Sequence, residues 1–126
     1  MPGQQTGFYP GQAPIDAYGD GGFRFAGMSH RGSLLVLPSG VHAWAPLDAS
    51  RLAMADFAPL IADCAGIEFV LLGTGAMQVF PSPAVRAGFE AAGIGLDAMT
   101  TGAAARTFNV LLAEGRKVAA ALIAVP

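Results

Sequence analysis

The residues of this chain best suited to holding a charged group lie in two short stretches. One is the turn Gly73-Thr74-Gly75; the other is "MTTGAAARTFN", which carries Thr100, Thr101, Arg106 and Asn109. The chemistry open to such a set is recognition of an anion. Glycine turns present backbone N–H groups, a helix start is partially positive, and a guanidinium offers two parallel donors to a carboxylate or phosphate. Covalent chemistry has less to draw on. His30 and His42 have no acid–base pattern around them, and none of Ser29, Ser33, Ser39, Ser50 or Ser82 stands in a G-x-S-x-G turn. Spacing of the H-x-x-x-H kind is absent. No catalytic residue, metal or cofactor is therefore assigned. "GTGAMQ" opens as a dinucleotide fingerprint does but has Gln78 where the third glycine belongs, and no G-x-x-x-x-G-K-S/T occurs. The plainer role of Gly73 and Gly75 is a tight turn after a buried strand.

The elements that must position these residues follow from hydrophobic spacing. "IDAY" and "FRFAG" flank "GDGG", so residues 15–26 are predicted to form a hairpin around a positive-φ turn. "SHRG" supplies the next turn, "SLLVLP" a strand ending at Pro38, and "VHAWAP" its partner. The first third is thus an antiparallel β unit. In "DASRLAMADFAPLIADCAG" the apolar residues Met54, Phe57, Leu60, Ile61 and Cys64 recur at helical spacing, with Gly66 as the stop. Pro59 lies inside that pattern and must mark a start or a kink.

From Ile67 onward the order is βαβαβ. "IEFVLLG" is a nearly unbroken apolar run, suited to a central strand covered on both faces. "PAVRAGFEAAG" is a short helix with Pro83 in its first turn, and "IGLDAM" is a strand. The Thr/Arg/Asn stretch is the last helix, and "KVAAALIAV" a closing buried strand. Alternation of this kind predicts an α/β layer with parallel or mixed pairing and right-handed crossovers.

On a helical wheel Ala104, Ala105, Phe108, Leu111 and Leu112 share a face, while Arg106, Asn109 and Val110 point the other way. The apolar face must pack on the sheet, and Thr100 or Thr101 accounts for the N-cap. Capping gives no reason for Arg106 or Asn109. The plainer reading is a solvated outer face. The functional reading is topological, because ligands collect beyond the carboxyl ends of parallel strands. Both stretches would emerge there, gathering Gly73, Thr74, Gly75, Thr100, Thr101, Arg106 and Asn109 around one cleft.

Bulk properties narrow the classes. A length of 126 residues suits one domain, taken as residues 15–126, after a Gly/Pro/Gln-dominated tail at 1–14 expected to be disordered. That tail has no charged and apolar regions of a secretory signal. A net charge of −2 without a basic run argues against nucleic-acid binding. Cys64 is the only cysteine, so no disulfide can form within the chain. It is expected to be a small buried hydrophobe in a reducing, cytoplasmic setting. No apolar window is long enough for a membrane span. Hydrophobic residues reach 53% and charged residues only 13%, against roughly 25% charged in ordinary domains. Either alanine inflates the figure, or apolar surface is left for a partner or a second copy to cover.

The segments "YGDGGFRFAG", "GSLLVLPSGVHAW", "FVLLGTG" and "FPSPAVRAGFEAAGIGLDAMTTGAAARTFNVLLAEGRKVAAALI" resemble a family of small single-domain proteins. It includes a mitochondrial assembly factor for respiratory complex I, an animal adipogenesis-associated protein and many bacterial members of undefined activity. The resemblance implies an α/β fold in three layers, β+α/β/α. In it an N-terminal antiparallel β unit is followed by βαβαβ and lies beside a mixed central sheet flanked by helices. It also implies that the G-T-G loop and the helix beginning near Thr101 line a shared cleft. The family's last helix usually reads A-A-C-R-T-Y-N; here "AAARTFN" matches at Arg106, Thr107 and Asn109 but has Ala105 for the cysteine and Phe108 for the tyrosine. Chemistry that needed that thiol cannot operate. The resemblance therefore points to a non-enzymatic, chaperone-like accessory protein. Its partners would be proteins, such as respiratory-complex subunits at the inner-membrane surface. The alternative is a binder of, or enzyme on, an anionic metabolite held in the 73–75 and 100–109 cleft.

Overall fold

Three strands of this chain bury both faces, and that decides the architecture. The computed structural model describes residues 8–63 and 65–126. Its strands are β1 (Phe8–Pro10), β2 (Ala17–Gly19), β3 (Gly22–Phe25), β4 (Met28–Arg31), β5 (Ser33–Leu37), β6 (Gly40–Trp44), β7 (Phe69–Gly73), β8 (Gly95–Met99) and β9 (Val118–Leu122). Its α-helices are α1 (Ala58–Ala62), α2 (Pro83–Ala92) and α3 (Thr101–Ala113). One sheet has six strands in the order β1-β6-β5-β9-β7-β8, and a separate sheet has the order β2-β3-β4. β7 runs parallel to β8 and β9, whereas β5 is antiparallel to β6 and β9. The main sheet is mixed.

Alternation along the central strands feeds two cores. Leu35, Leu37, Val70, Leu72, Ala119, Ala121 and Ile123 face one side, where Phe57, Leu60, Val85 and Phe89 cover them. Leu34, Val36, Leu71, Val118, Ala120 and Leu122 face the other, beneath Ala104, Ala105 and Phe108 of α3 and Phe23 and Phe25 of the small sheet. The layers are therefore helices, six-stranded sheet, and a third layer shared by α3 and β2-β3-β4. The unbroken apolar runs of β7 and β9 exist because each residue there serves one core or the other.

Several expectations are met locally. Pro83 takes the first position of α2, and Ser82, a cap not singled out from the sequence, accepts from the Val85 N–H. The hairpin over 15–26 forms with Asp20 and Gly21 at positive φ, pairing Ala17 with Arg24 and Gly19 with Gly22. Others need correction. "SHRG" is not a turn: Ser29, His30 and Arg31 belong to β4, and the turn falls at Ala26-Gly27, both at positive φ. The strand escapes detection because its inward residue is the polar His30, which contacts the Ser33 carbonyl oxygen at 3.1 Å. The β unit of the first third is also divided, since β5 and β6 lie in the main sheet.

The single helix expected over 48–66 is instead two 3-10 turns, Ala49–Arg51 and Met54–Phe57, followed by the short α1. Pro59 has no N–H for the residue-55 carbonyl, so regular α-helix begins only at its doorstep. Part of the stretch expected as a tail has a place in the fold. Phe8–Pro10 pair with β6, Gln12 donates its side-chain amide to the Val118 carbonyl at 2.8 Å, and Ala13 is buried. The expectations for residues 1–7 and for Cys64 lie outside the described residues.

One glycine is dictated by this packing. A Cβ on Gly73 would sit 2.9 Å from Thr101 Cα and 3.0 Å from Leu122 Cδ2. Gly73→Ala should lower unfolding free energy by about 2–3 kcal/mol. At Gly88 the added methyl meets only the flexible thioether end of Met54, and the helix gains alanine's propensity. Gly88→Ala should therefore stay within about 1 kcal/mol of the parent in urea titrations.

Candidate functional site

The glycine turn and the start of α3 do meet, and their meeting is a closed hydrogen-bond junction. The Thr101 hydroxyl accepts from the Gly75 N–H at 2.9 Å and donates to the Ile123 carbonyl at 2.7 Å, with the side chain wholly buried. The Thr101 N–H donates to the Gly75 carbonyl at 2.9 Å, and the Thr74 N–H to the Met99 carbonyl at 2.8 Å. The Thr74 hydroxyl donates to the Met77 carbonyl at 2.7 Å and accepts from the Val79 N–H at 3.1 Å, which coils the loop after β7. Thr100 is the N-cap: its hydroxyl accepts from the Ala103 N–H at 3.3 Å and its carbonyl from the Ala104 N–H at 2.8 Å. The donors that an anion would require at this place are mostly spent inside the fold.

Asn109 and Arg106 leave the junction in other directions. The Asn109 amide holds Ile15 at both ends, its oxygen accepting from the Ile15 N–H and its nitrogen donating to the Ile15 carbonyl, each at 2.8 Å. It fastens the segment before β2 to the side of α3. On the wheel Arg106 falls opposite the Ala104/Phe108 face, with Val110 beside it. It is exposed and, among the described residues, its side chain makes no hydrogen bond or ion pair. Of the seven residues, Gly73, Thr74, Gly75, Thr100 and Thr101 come together, Asn109 serves a different seam, and Arg106 faces water.

Two of the hollows among the described residues lie elsewhere, and neither is lined by any of the seven. One, of about 480 Å³, covers the outer face of β2-β3-β4. The other, of about 560 Å³, follows the edge strand β8 between the connection after β7 and α2, beside Gln78, Phe80, Arg86 and Leu96. On that connection Met77 and Phe80 are 76% and 74% exposed. No periodicity marks them, since a loop has none; the signal available was two large apolar residues in a Gly/Pro-rich connection. Tyr18 was also missed. Its ring lies where a side chain on Gly102 would project, which explains a glycine in the first turn of α3. Among the described residues no cluster of His, Cys, Asp and Glu could hold a metal ion, and no helix is long and apolar enough to cross a membrane.

Residues 15–123 match a family described as "Protein of unknown function (DUF498/DUF598)". The chain is 39% identical, over its whole length and 95% of the relative's, to an uncharacterized protein of Rhodobacter capsulatus. It is 31% identical to the mouse protein named NADH dehydrogenase [ubiquinone] 1 alpha subcomplex assembly factor 3, over 94% of this chain and 64% of the mouse one. A Bartonella henselae structure described as an outer membrane protein has a TM-score of 0.90 and 47% identity, covering 94% of this chain and 99% of its own.

The junction sets a clear ranking of substitutions. Thr101→Val keeps the shape but orphans a buried N–H and a buried carbonyl, so a loss of about 2–4 kcal/mol is expected. Asn109→Ala should cost about 1–2 kcal/mol and speed hydrogen exchange at the Ile15 amide. Arg106→Ala should change stability by no more than about 0.5 kcal/mol. An Arg106→Ala loss as large as that of Thr101→Val would contradict this assignment of roles.

Proposed function

The chain belongs to this family of proteins of unknown function, and from that premise we propose that it is a non-enzymatic accessory protein. It binds other proteins and assists assembly of respiratory NADH:ubiquinone oxidoreductase. The observation that carries the proposal is the 31% identity to the mouse assembly factor across 94% of this chain. With only 64% of the mouse protein matched, what is carried over is the shared domain's capacity to contact a subunit.

The surface that fits this role is the end of the sheet at β8. Met77 and Phe80 stand exposed there beside the groove along α2. Large apolar side chains held on a short loop next to a hollow are the ordinary anchors of protein contacts. Transient cover of an apolar subunit face by this patch would be the physical act of assistance, performed at the membrane surface. The reading that puts an anion between the 73–75 turn and Arg106 finds less support, because the turn's donors are occupied and Arg106 lies on the outer face of α3.

The test is recovery of partners on a tagged copy expressed in its own host. Subunits of the oxidoreductase should co-purify, and a deletion strain should accumulate less of the assembled complex. Met77→Asp with Phe80→Asp should cut recovery by about tenfold or more while leaving the thermal midpoint nearly unchanged, since both residues are exposed. Sedimentation of the same samples separates binding of a foreign partner from self-association. Normal levels of the complex in the deletion strain, with no subunit recovered, would overturn the proposal.

A further inference from the structure

The small sheet carries an unused pair of cations over a floor with almost no side chains. Its inward residues Phe23, Phe25 and His30 are buried beside the main sheet and α3. Alternation therefore turns Ala17 and Gly19 of β2, Gly22 and Arg24 of β3, and Ser29 and Arg31 of β4 outward. The register aligns Ala17, Arg24 and Ser29 on one rung and Gly19, Gly22 and Arg31 on the next. Arg24 and Arg31 thus stand diagonally across neighbouring strands of one face, close enough for long side chains to interact. Ala17, Gly19 and Gly22 leave the space between them open, which is the hollow of about 480 Å³; Asp20 of the β2–β3 turn also lines it, one carboxylate against two guanidiniums.

The floor is enforced. A Cβ on Gly22 would collide with the His30 carbonyl oxygen and come within 3.2 Å of Arg31 Cα. The hairpin is also pinned from behind, the Gly21 N–H donating to the Val125 carbonyl and the Gly32 N–H to the Gly21 carbonyl, each at 2.7 Å. The two guanidiniums are therefore mounted on a rigid base.

Their charges are not met within the fold. Arg51 and Arg116 have carboxylate partners, Asp48 and Glu68. Among the described residues the Arg24 guanidinium makes no hydrogen bond or ion pair, and that of Arg31 reaches only the Asp20 backbone carbonyl, at 3.4 Å. Two like charges on one face of a sheet repel unless something of opposite sign lies between them. Nearly all ten of their N–H donors remain available.

We propose that this hollow is a binding site for a small dianion, its oxyanion groups held by Arg24 and Arg31 and its carbon frame lying on Ala17, Gly19 and Gly22. Paired guanidiniums recognise planar or tetrahedral oxyanions bidentately, and a hollow of this size accepts a small metabolite. The Ser29 hydroxyl stands on the Arg24 rung as a further donor. The site is independent of the protein-binding surface at β8, so either can fail without the other.

Titration of the isotope-labelled chain with succinate, phenyl phosphate and inorganic phosphate, followed by amide and arginine Nε resonances, tests the assignment. Saturable shifts confined to residues 17–31 are expected, with Kd below about 1 mM for at least one of the two organic dianions. Succinate and phenyl phosphate distinguish a dicarboxylate from a phosphate-ester ligand, and weaker binding of inorganic phosphate would register the floor's contribution. Arg24→Gln with Arg31→Gln should weaken binding by about tenfold or more, the rest of the spectrum reporting an intact fold. Should the double variant misfold, Arg24→Gln alone decides, because that side chain is exposed and supports nothing else. Absence of saturable shifts with all three probes, or shifts that persist unchanged in the variants, would overturn the assignment.

Discussion

The Thr101 hydroxyl, set between the Gly75 N–H and the Ile123 carbonyl, is the contact on which the arrangement of this fold depends. It joins the end of β7, the start of α3 and the end of β9 at one buried atom. Only a hydroxyl can accept from one backbone group and donate to another in so little space. The bonds themselves contribute modestly, because the unfolded chain makes equivalent bonds to water. Their necessity comes from the alternative, since a buried N–H and a buried carbonyl left unpaired cost about 1–3 kcal/mol each. Gly73 completes the device: without a side chain there, the backbone of Thr101 can approach the strand.

That device explains why this region stands out in the sequence. Thr, Gly, Arg and Asn near a helix start suit an anion cradle, yet most of them here answer to backbone groups of the same chain. Asn109 is the clearest case. Its amide pairs with both the N–H and the carbonyl of Ile15, as a neighbouring strand would, across 94 residues of sequence. Nothing local reveals such a partner. What was legible had a period or an unbroken run: β5, β7 and β9 from apolar continuity, α2 and α3 from helical spacing and caps. What was hidden lacked either signal. β4 turns a histidine inward instead of a hydrophobe, and Pro59 converts an apparent helix into 3-10 turns by withholding one N–H.

The unusual composition also finds its main cause indoors. A sheet covered on both sides needs apolar residues at nearly every position of its central strands, and β5 and β9 are buried throughout, with Ser33 the polar exception in β5. A charged fraction of 13% follows largely from that demand in a chain of 126 residues. The apolar surface that remains is scattered, with Tyr18, Leu47 and Val110 apart from one another in sequence and Met77 and Phe80 together on one loop. A partner-binding role must therefore rest on a small anchored patch, not on a broad greasy face.

The two ends of the main sheet are guarded differently. β1 closes one end with a short strand containing Pro10, which cannot donate to a further strand. β8 closes the other with an exposed Asp97 at its middle, while the Gln78 amide occupies the Ala98 carbonyl at 2.9 Å. A second copy is a poor neighbour for β8. In the fully overlapped antiparallel register, Asp97 would face its own counterpart, and like charges directly opposed destabilise a pair of strands. Shifting the register removes the clash only by giving up backbone pairs. A foreign segment with a basic residue opposite Asp97 and an apolar one over Met77 and Phe80 meets no such penalty. The charge at Asp97 thus weighs against pairing with an identical edge more than against pairing with a segment of different sequence.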